Sequence, residues 1–369
     1  MYDRGVATRE AAQRRGTSDS RAEVAAASRR YAPSWLHQLL QRLERLPGPS
    51  WVWYSVLGLA VGVIYHLEFW VSGRSPFGRL DAENTFWGVV LFAELWTAAH
   101  IERVASSALD ATRPALRLSV AEVERLRYEL TVAPALPSAI ALLAGAALTV
   151  LSSIIDPVGT YVVGVPEPLV VAAVLAQSLI VGILFTGLLQ LVRQMRLVRT
   201  TLDRSAIVDP FLPGPLSGFS RLTSSVGIAI VVLVTAGFVL TPPPPSDPVA
   251  FVLRSLPYLV GAPAIALIAF VVPLYGLHTR LAAEKERLQG EAEHRLKAVL
   301  AELNHDVDSL DLSRADGLNK TLASVGQQRE ILAKLPTWPW SSGTLRAMTT
   351  AILLPLFLFV IQLVLSRII

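Results

Sequence analysis

An all-α polytopic bundle of membrane-spanning helices, with a helical hairpin outside the bilayer, is the fold class the sequence predicts. Three observations carry it. Of 369 residues, 52% are hydrophobic and only 17% charged, with mean hydropathy +0.48, whereas about 25% of an ordinary soluble domain is charged. The apolar residues fall in runs of about 20, the length that crosses a hydrocarbon core about 30 Å thick. Lys and Arg alternate, rich then poor, between successive connections, as the cytoplasmic excess of positive charge demands.

Six apolar segments read plainly as spans: 51–71, 136–155, 169–192, 223–241, 250–276 and 346–366. A seventh, 86–101, is short and contains Glu94 and His100. Charge placement includes it. Lys+Arg number nine in 1–50, two in 72–85, five in 102–135, none in 156–168, five in 193–222, none in 242–249 and ten in 277–346. Were 86–101 not to cross, the five arginines that follow it would face outward and the arginine-free connection 156–168 inward, against the rule. Seven crossings are therefore expected, N-terminus inside and C-terminus outside. Arg outnumbers Lys 29 to 4, a bias associated with GC-rich bacterial genomes, so the expected location is a bacterial inner membrane.

Outside the spans, 1–33 lacks apolar periodicity and reads as a disordered basic tail. Ser34 is placed to cap an amphipathic helix over 34–46, with Trp35, Leu36, Leu39, Leu40, Leu43 and Leu46 on one face and Pro47-Gly48-Pro49 ending it. Such a helix beside a span is expected in the headgroup layer. Ser119 and Glu122 form a capping-box pattern opening a second helix with Val123, Leu126 and Leu130 on one side. Over 277–335, Leu281, Leu288, Ala292, Leu296, Val299, Leu303, Val307 and Leu310 recur at three-, four- and seven-residue intervals. A break near 309–313 precedes a helix presenting Leu318, Leu322, Val325 and Leu332, ending at Pro336. Two helices joined this way form an antiparallel hairpin or coiled coil, and Leu288, Leu296, Leu303, Leu318 and Leu322 are its expected contact positions toward a second copy or a cytoplasmic partner. Ten basic and ten acidic residues balance over 277–346, which excludes a nucleic-acid surface there. The surplus positive charge lies instead in the N-terminal tail and in 193–222. Arg193, Arg196 and Arg199, with Trp35, Trp338 and Trp340, are the expected contacts to anionic lipid and the interface.

Ionisable groups at membrane depth are functional candidates because they are costly unless paired or hydrated. Glu94 lies mid-span. His100, six residues on, is rotated by about 120° and shifted by about 9 Å, so a direct pair on one helix is excluded and any relay needs water or a second helix. His66 and Glu68 stand at the outer end of the first span, where reaching water is easy. Gln177, Gln190 and Gln362 are interhelical hydrogen-bonding candidates. The sixth span carries Pro257, Pro263 and Pro273; Gly261-Ala262-Pro263 marks an expected kink or unwound turn, whose freed carbonyls could meet an ion. Gly58 and Gly62, and Ala141 with Gly145, make small faces for close helix approach.

Catalytic patterns are missing. There is no phosphate loop, HExxH, histidine-box series or GxSxG elbow. With no cysteine in the chain, the His66-Leu-Glu68 and His100-Ile-Glu102 fragments have no zinc-deaminase context. No cofactor, no metal and no enzymatic activity is expected. The stretches FSRLTSS (219–225) and LPTWPW (335–340), with the terminal apolar helix and its LLP (353–355), resemble segments of bacterial multi-pass membrane proteins, a resemblance that implies no activity. Two functions fit the pattern. One is a non-enzymatic membrane anchor, sensor or scaffold acting through the cytoplasmic hairpin. The other is an ion or proton channel or secondary transporter using Glu94, His100 and the Gly261–Pro263 break.

Overall fold

The computed structural model describes residues 31–155, 164–207, 209–211, 213–240, 253, 256–309 and 313–368. The N-terminal tail up to residue 30, the polyproline stretch 242–245, most of the start of the sixth span and the turn at 310–312 lie outside the described residues. The described chain is helical, with two isolated β-bridges, Pro33 to Pro134 and Leu116 to Ala206. Its helices are α1 (Trp35–Glu44), α2 (Ser50–Val71), α3 (Ala82–Thr112), α4 (Val120–Thr131), α5 (Ala135–Ile155), α6 (Glu167–Ser205), α7 (Gly218–Leu240), α8 (Ala262–Asp308), α9 (Ala315–Lys334) and α10 (Ser342–Ile368). Among the described residues, six segments are long and apolar enough to cross a membrane: Ser50–Val71, Ala135–Ile155, Glu167–Ser205, Gly214–Ala236, Leu259–Asp308 and Ser342–Ile361. The chain is an integral membrane protein by that measure. α3 is not among the six; Glu94, Glu102, Arg103 and Asp110 lower its hydropathy.

Local chemistry sets the helix ends. Ser34 Oγ accepts from the His37 amide at 3.1 Å and caps α1. Ser119 and Glu122 complete a capping box on α4: Oγ accepts from the Glu122 amide, and the carboxylate accepts from the Ser119 amide at 2.8 Å. The proline cluster of the sixth span produces a wide π-helical turn, Pro257–Gly261, not an interruption. α8 then runs for 47 residues, straight through Pro273.

α2 and α3 pack side by side and antiparallel. A Cβ on Gly58 would lie 2.5 Å from the Gly88 carbonyl oxygen, so these backbones touch where only glycine fits. Further along, Tyr65 stacks on Trp87, and the Asp81 amide donates to His66 Nε2. Gly145 likewise meets the backbone at Gly182 where α5 crosses α6. Gly62, by contrast, has open space around it. α7 contacts α3, α8 and α10, and α6 contacts α5, α8, α2, α3 and α4.

The segments following α3, preceding α5, ending α6 and continuing α8 gather at one end of the bundle. There the Arg117 amide donates to the Ser205 carbonyl, the Ile207 amide to the Ala115 carbonyl, and Arg280 to the Leu202 and Ala206 carbonyls. Leu109, Leu130, Val198, Leu202, Phe219, Leu274 and Leu277 form the largest buried cluster. α9 packs against α8, and Lys285 Nζ donates to the Ala333 and Leu335 carbonyls at 2.7 and 2.9 Å.

The apolar face expected on α1 packs on protein: Leu36, Leu40 and Leu43 are buried in a cluster with side chains of α2, α3 and α6, and the Ser34 amide is tied to the Ala133 carbonyl. His66 and Glu68 do not reach for water. They are 5% and 2% exposed, and His66 bonds the Gly62 carbonyl and the turn that begins α3.

Candidate functional site

Helix packing builds the site from α3, α6 and α7, with α1 at its base. α3 turns Leu91, Leu95 and Ala99 into the bundle, and Glu94 is carried in with them, 6% exposed. Its Oε2 has no hydrogen-bond partner. The carboxyl borders a cavity of about 110 Å³ whose walls are Leu36, Thr97, Ala98, Ile101, Ile183, Leu184, Gly187, Leu188, Leu191, Val226, Ala229, Ile230 and Leu233. Apart from Glu94 itself, the Thr97 hydroxyl is the one polar side chain among them. Leu184 and Leu188, at 39% and 45% exposed, form its outer edge. An ionised carboxylate left unpaired in such surroundings costs several kcal/mol; a neutral acid, or a carboxylate meeting a cation, costs less.

A second cavity of about 60 Å³ adjoins the first, since Leu36, Ala98, Ile101, Gly187 and Leu191 line both. It is polar. His37 Nδ1 and Glu102 Oε1 lie 3.1 Å apart, and Gln190 and Gln194 both donate to the Leu130 carbonyl, at 2.9 and 2.7 Å. That carbonyl ends α4, where Pro134 prevents the helix from continuing. The same glutamines leave their Oε1 atoms unpartnered, as is Ser138 Oγ. Glu102 stands eight residues beyond Glu94 on α3, about 12 Å along the axis.

The other sequence candidates lie elsewhere. His100 is half-buried and stacks on Trp96, ring centroids 5.1 Å apart and planes nearly parallel; it lines neither cavity. Gly261 and Pro263 belong to the π turn and the start of α8, and neither lines the Glu94 cavity. Glu94, His100 and the 261–263 turn therefore do not surround one path. Leu288, Leu296, Leu303, Leu318 and Leu322 are all half-buried where α8 and α9 pack; Leu300, Val307 and Ile331 are the apolar side chains left exposed there, at 38%, 50% and 52%.

Four of the expected lipid contacts, Arg193, Trp35, Trp338 and Trp340, pack on protein. Arg193 donates to the Val132 carbonyl at 2.6 Å and to Tyr31 Oη at 2.7 Å, with its guanidinium over the Tyr31 ring. Burial raises the Tyr31 phenol above its ordinary range, with Arg193 opposing. Arg196 and Arg199 stay exposed, Arg199 near Asp203 at 3.8 Å. Trp35 is half-buried and donates its indole N–H to the Ser138 carbonyl. Trp338 lies flat between His278 and Trp340, and Trp340 stacks on Phe270, so the PTWPW segment clasps α8.

Sequence reasoning missed His37, Glu102 and Gly187 as site residues. His37 and Glu102 are 65 positions apart, and no local pattern links them; Gly187 is a glycine whose use is the space it leaves. Among the described residues no group of His, Asp and Glu is arranged to hold a metal ion. Compared with protein-family models, curated proteins and solved structures, the chain matches none.

Proposed function

We propose that this chain is a non-enzymatic anchor or sensor of a bacterial inner membrane, whose cytoplasmic hairpin of α8 and α9 is its contact surface for a second copy or a partner protein. One observation carries the reading. α8 passes without a break from an apolar segment packed on α7 into a charged amphipathic one, 47 residues or about 70 Å in all. About 30 Å of that suffices for the hydrocarbon core. A shift of its membrane half would move its cytoplasmic half with no flexible linker between.

In this reading α3 is the seventh crossing. Antiparallel packing on α2 gives it the same depth, and it brings the basic segment 103–127 to the end where the other Arg-rich segments gather. The N-terminus is then inside and the C-terminus outside. Arg196, Arg199 and the basic tail face anionic cytoplasmic lipid.

Leu300 and Val307, seven residues apart on one exposed face of α8, are the test positions, because they do not hold the α8–α9 seam. Replacing both with Asp should abolish self-association or partner capture, read by cross-linking in membranes, while insertion and yield stay unchanged. Leu296→Asp with Leu303→Asp should do the same and also loosen α9. Complexes that survive both pairs of substitutions would remove the reading.

A further inference from the structure

We propose that the crevice between α6 and α7 binds a small lipophilic ammonium ion, a protonated amine on a short apolar body, with Glu94 as its counter-ion. The proposal names a ligand class for the sensor reading, and it uses that reading only in placing α6 and α7 in lipid.

The chemistry of the walls selects the ligand. An unpartnered, buried carboxyl oxygen calls for a hydrogen-bond donor or a cation. The surrounding leucines, isoleucines and valines call for an apolar body. No basic side chain lines the crevice, so a phosphate, carboxylate or zwitterion would leave its own negative group unmatched there. A metal ion would find one carboxyl and one hydroxyl where it needs several oxygen ligands. A single positive head on a hydrocarbon chain satisfies both halves of the site.

Size and access agree. An engineered apolar cavity of about 150 Å³ takes a benzene molecule; the crevice, at about 110 Å³, takes the ammonium head and roughly the first four carbons by the same measure. Its outer edge is formed by the exposed Leu184 and Leu188 on the surface that faces lipid in this reading, so a longer chain can trail out sideways. α6 and α7 touch each other little, α3 filling the space behind them. Gly187 leaves the space open: a Cβ built on it meets nothing within 4 Å.

Of the titratable groups around the carboxyl, His100 of α3 is six residues on and stacked on Trp96, and Glu102 of α3 and His37 of α1 lie beyond the shared wall in the second cavity. α6 adds Arg193, which is bound to Tyr31 and Val132, and α7 adds Arg221 at its cytoplasmic end. None of these lines the crevice, which leaves the Glu94 carboxyl for the ligand.

The test uses the full chain in phosphatidylcholine–phosphatidylglycerol nanodiscs and tritiated n-hexylammonium, followed by scintillation proximity. Saturable binding is expected, displaced by unlabelled n-butylammonium and not by n-hexanol. Glu94→Gln, which keeps the shape and removes the charge, should weaken binding by at least about tenfold. Gly187→Leu, which fills the crevice and leaves Glu94 intact, should do likewise; helicity and elution volume verify folding for both. The Leu300→Asp, Val307→Asp variant should bind as the parent does, so failure of the hairpin reading and failure of this site are separately visible. Binding that is non-saturable, equal in Glu94→Gln, or displaced equally by hexanol would overturn the proposal.

Discussion

α6 passes through two regions of the molecule, and its outward face differs between them. Over 171–192 Ala173, Ala176, Ile180 and Ile183 are buried while Val171, Leu175, Leu184 and Leu188 are 57%, 64%, 39% and 45% exposed; in its last turns no large apolar side chain is exposed, and Val198 and Leu202 are fully buried. The same contrast divides α3, α7 and α8, whose ends near the basic segments supply most of the largest cluster. Water explains the difference. At the base, burying a leucine removes apolar surface from water and drives folding. In the span, lipid is as apolar as leucine, so side chains gain little by turning inward. Contact there depends on close backbone approach, as at Gly58–Gly88 and Gly145–Gly182, and on hydrogen bonds such as Tyr65 Oη to Gln177 Oε1 at 2.5 Å.

The contrast can be broken most forcefully at Leu202. Leu202→Ala should cost about 2–5 kcal/mol, the range for a buried leucine leaving a cavity, whereas Leu175→Ala in the span should cost under about 0.5 kcal/mol by the same reasoning. Denaturant unfolding in a fixed detergent compares them; equal losses would show that the two regions are not distinct. Gly58→Val comes next, costing about 1–3 kcal/mol through overpacking against Gly88, and the same substitution at Gly62, where space is open, should be nearly silent.

Arg193→Gln sharpens the account of the base. It removes the guanidinium donor from Tyr31 Oη and leaves the Val132 carbonyl with the Tyr31 hydroxyl alone, at 3.2 Å; the loss should cost about 1–3 kcal/mol, read as the loss of protection of 31–36 in hydrogen exchange. The smallest effect is electrostatic. Hydrogen bonds from Arg127 hold the Asp110 carboxyl below its ordinary range. Because the folded value is depressed, this contribution is present above the ordinary carboxylate range and is lost as pH falls through the lowered value. The pair is largely exposed, so it is worth under about 1 kcal/mol. Arg127→Gln should flatten that acid-side slope, lowering neutral-pH stability by that same small amount, under about 1 kcal/mol, and leaving stability below the lowered value unchanged.

Much of the architecture was legible because its causes are local. The Ser34 cap and the Ser119–Glu122 box are set by residues three apart, and apolar runs report membrane depth. Helix length was less legible: α6 and α3 run well past the apolar stretches at 169–192 and 86–101, since hydropathy stops where lipid stops and a helix need not. Glu94 stood out as a charge among leucines. What surrounds it did not, because Leu36, Gly187 and Ala229 come from three other helices and carry no mark of proximity. His100 was close in sequence, yet its rotation on α3 directs it to Trp96 and away from the crevice.

The arrangement of the whole bundle depends on α3 passing from one face of the membrane to the other. The cysteine-free chain allows a direct measurement: Phe77→Cys and Val120→Cys, both at exposed positions flanking that helix, are labelled in intact cells with a membrane-impermeant maleimide. Labelling at 77 and protection at 120 until the membrane is opened is the predicted result. Both positions labelled, or both protected, in intact cells would contradict it.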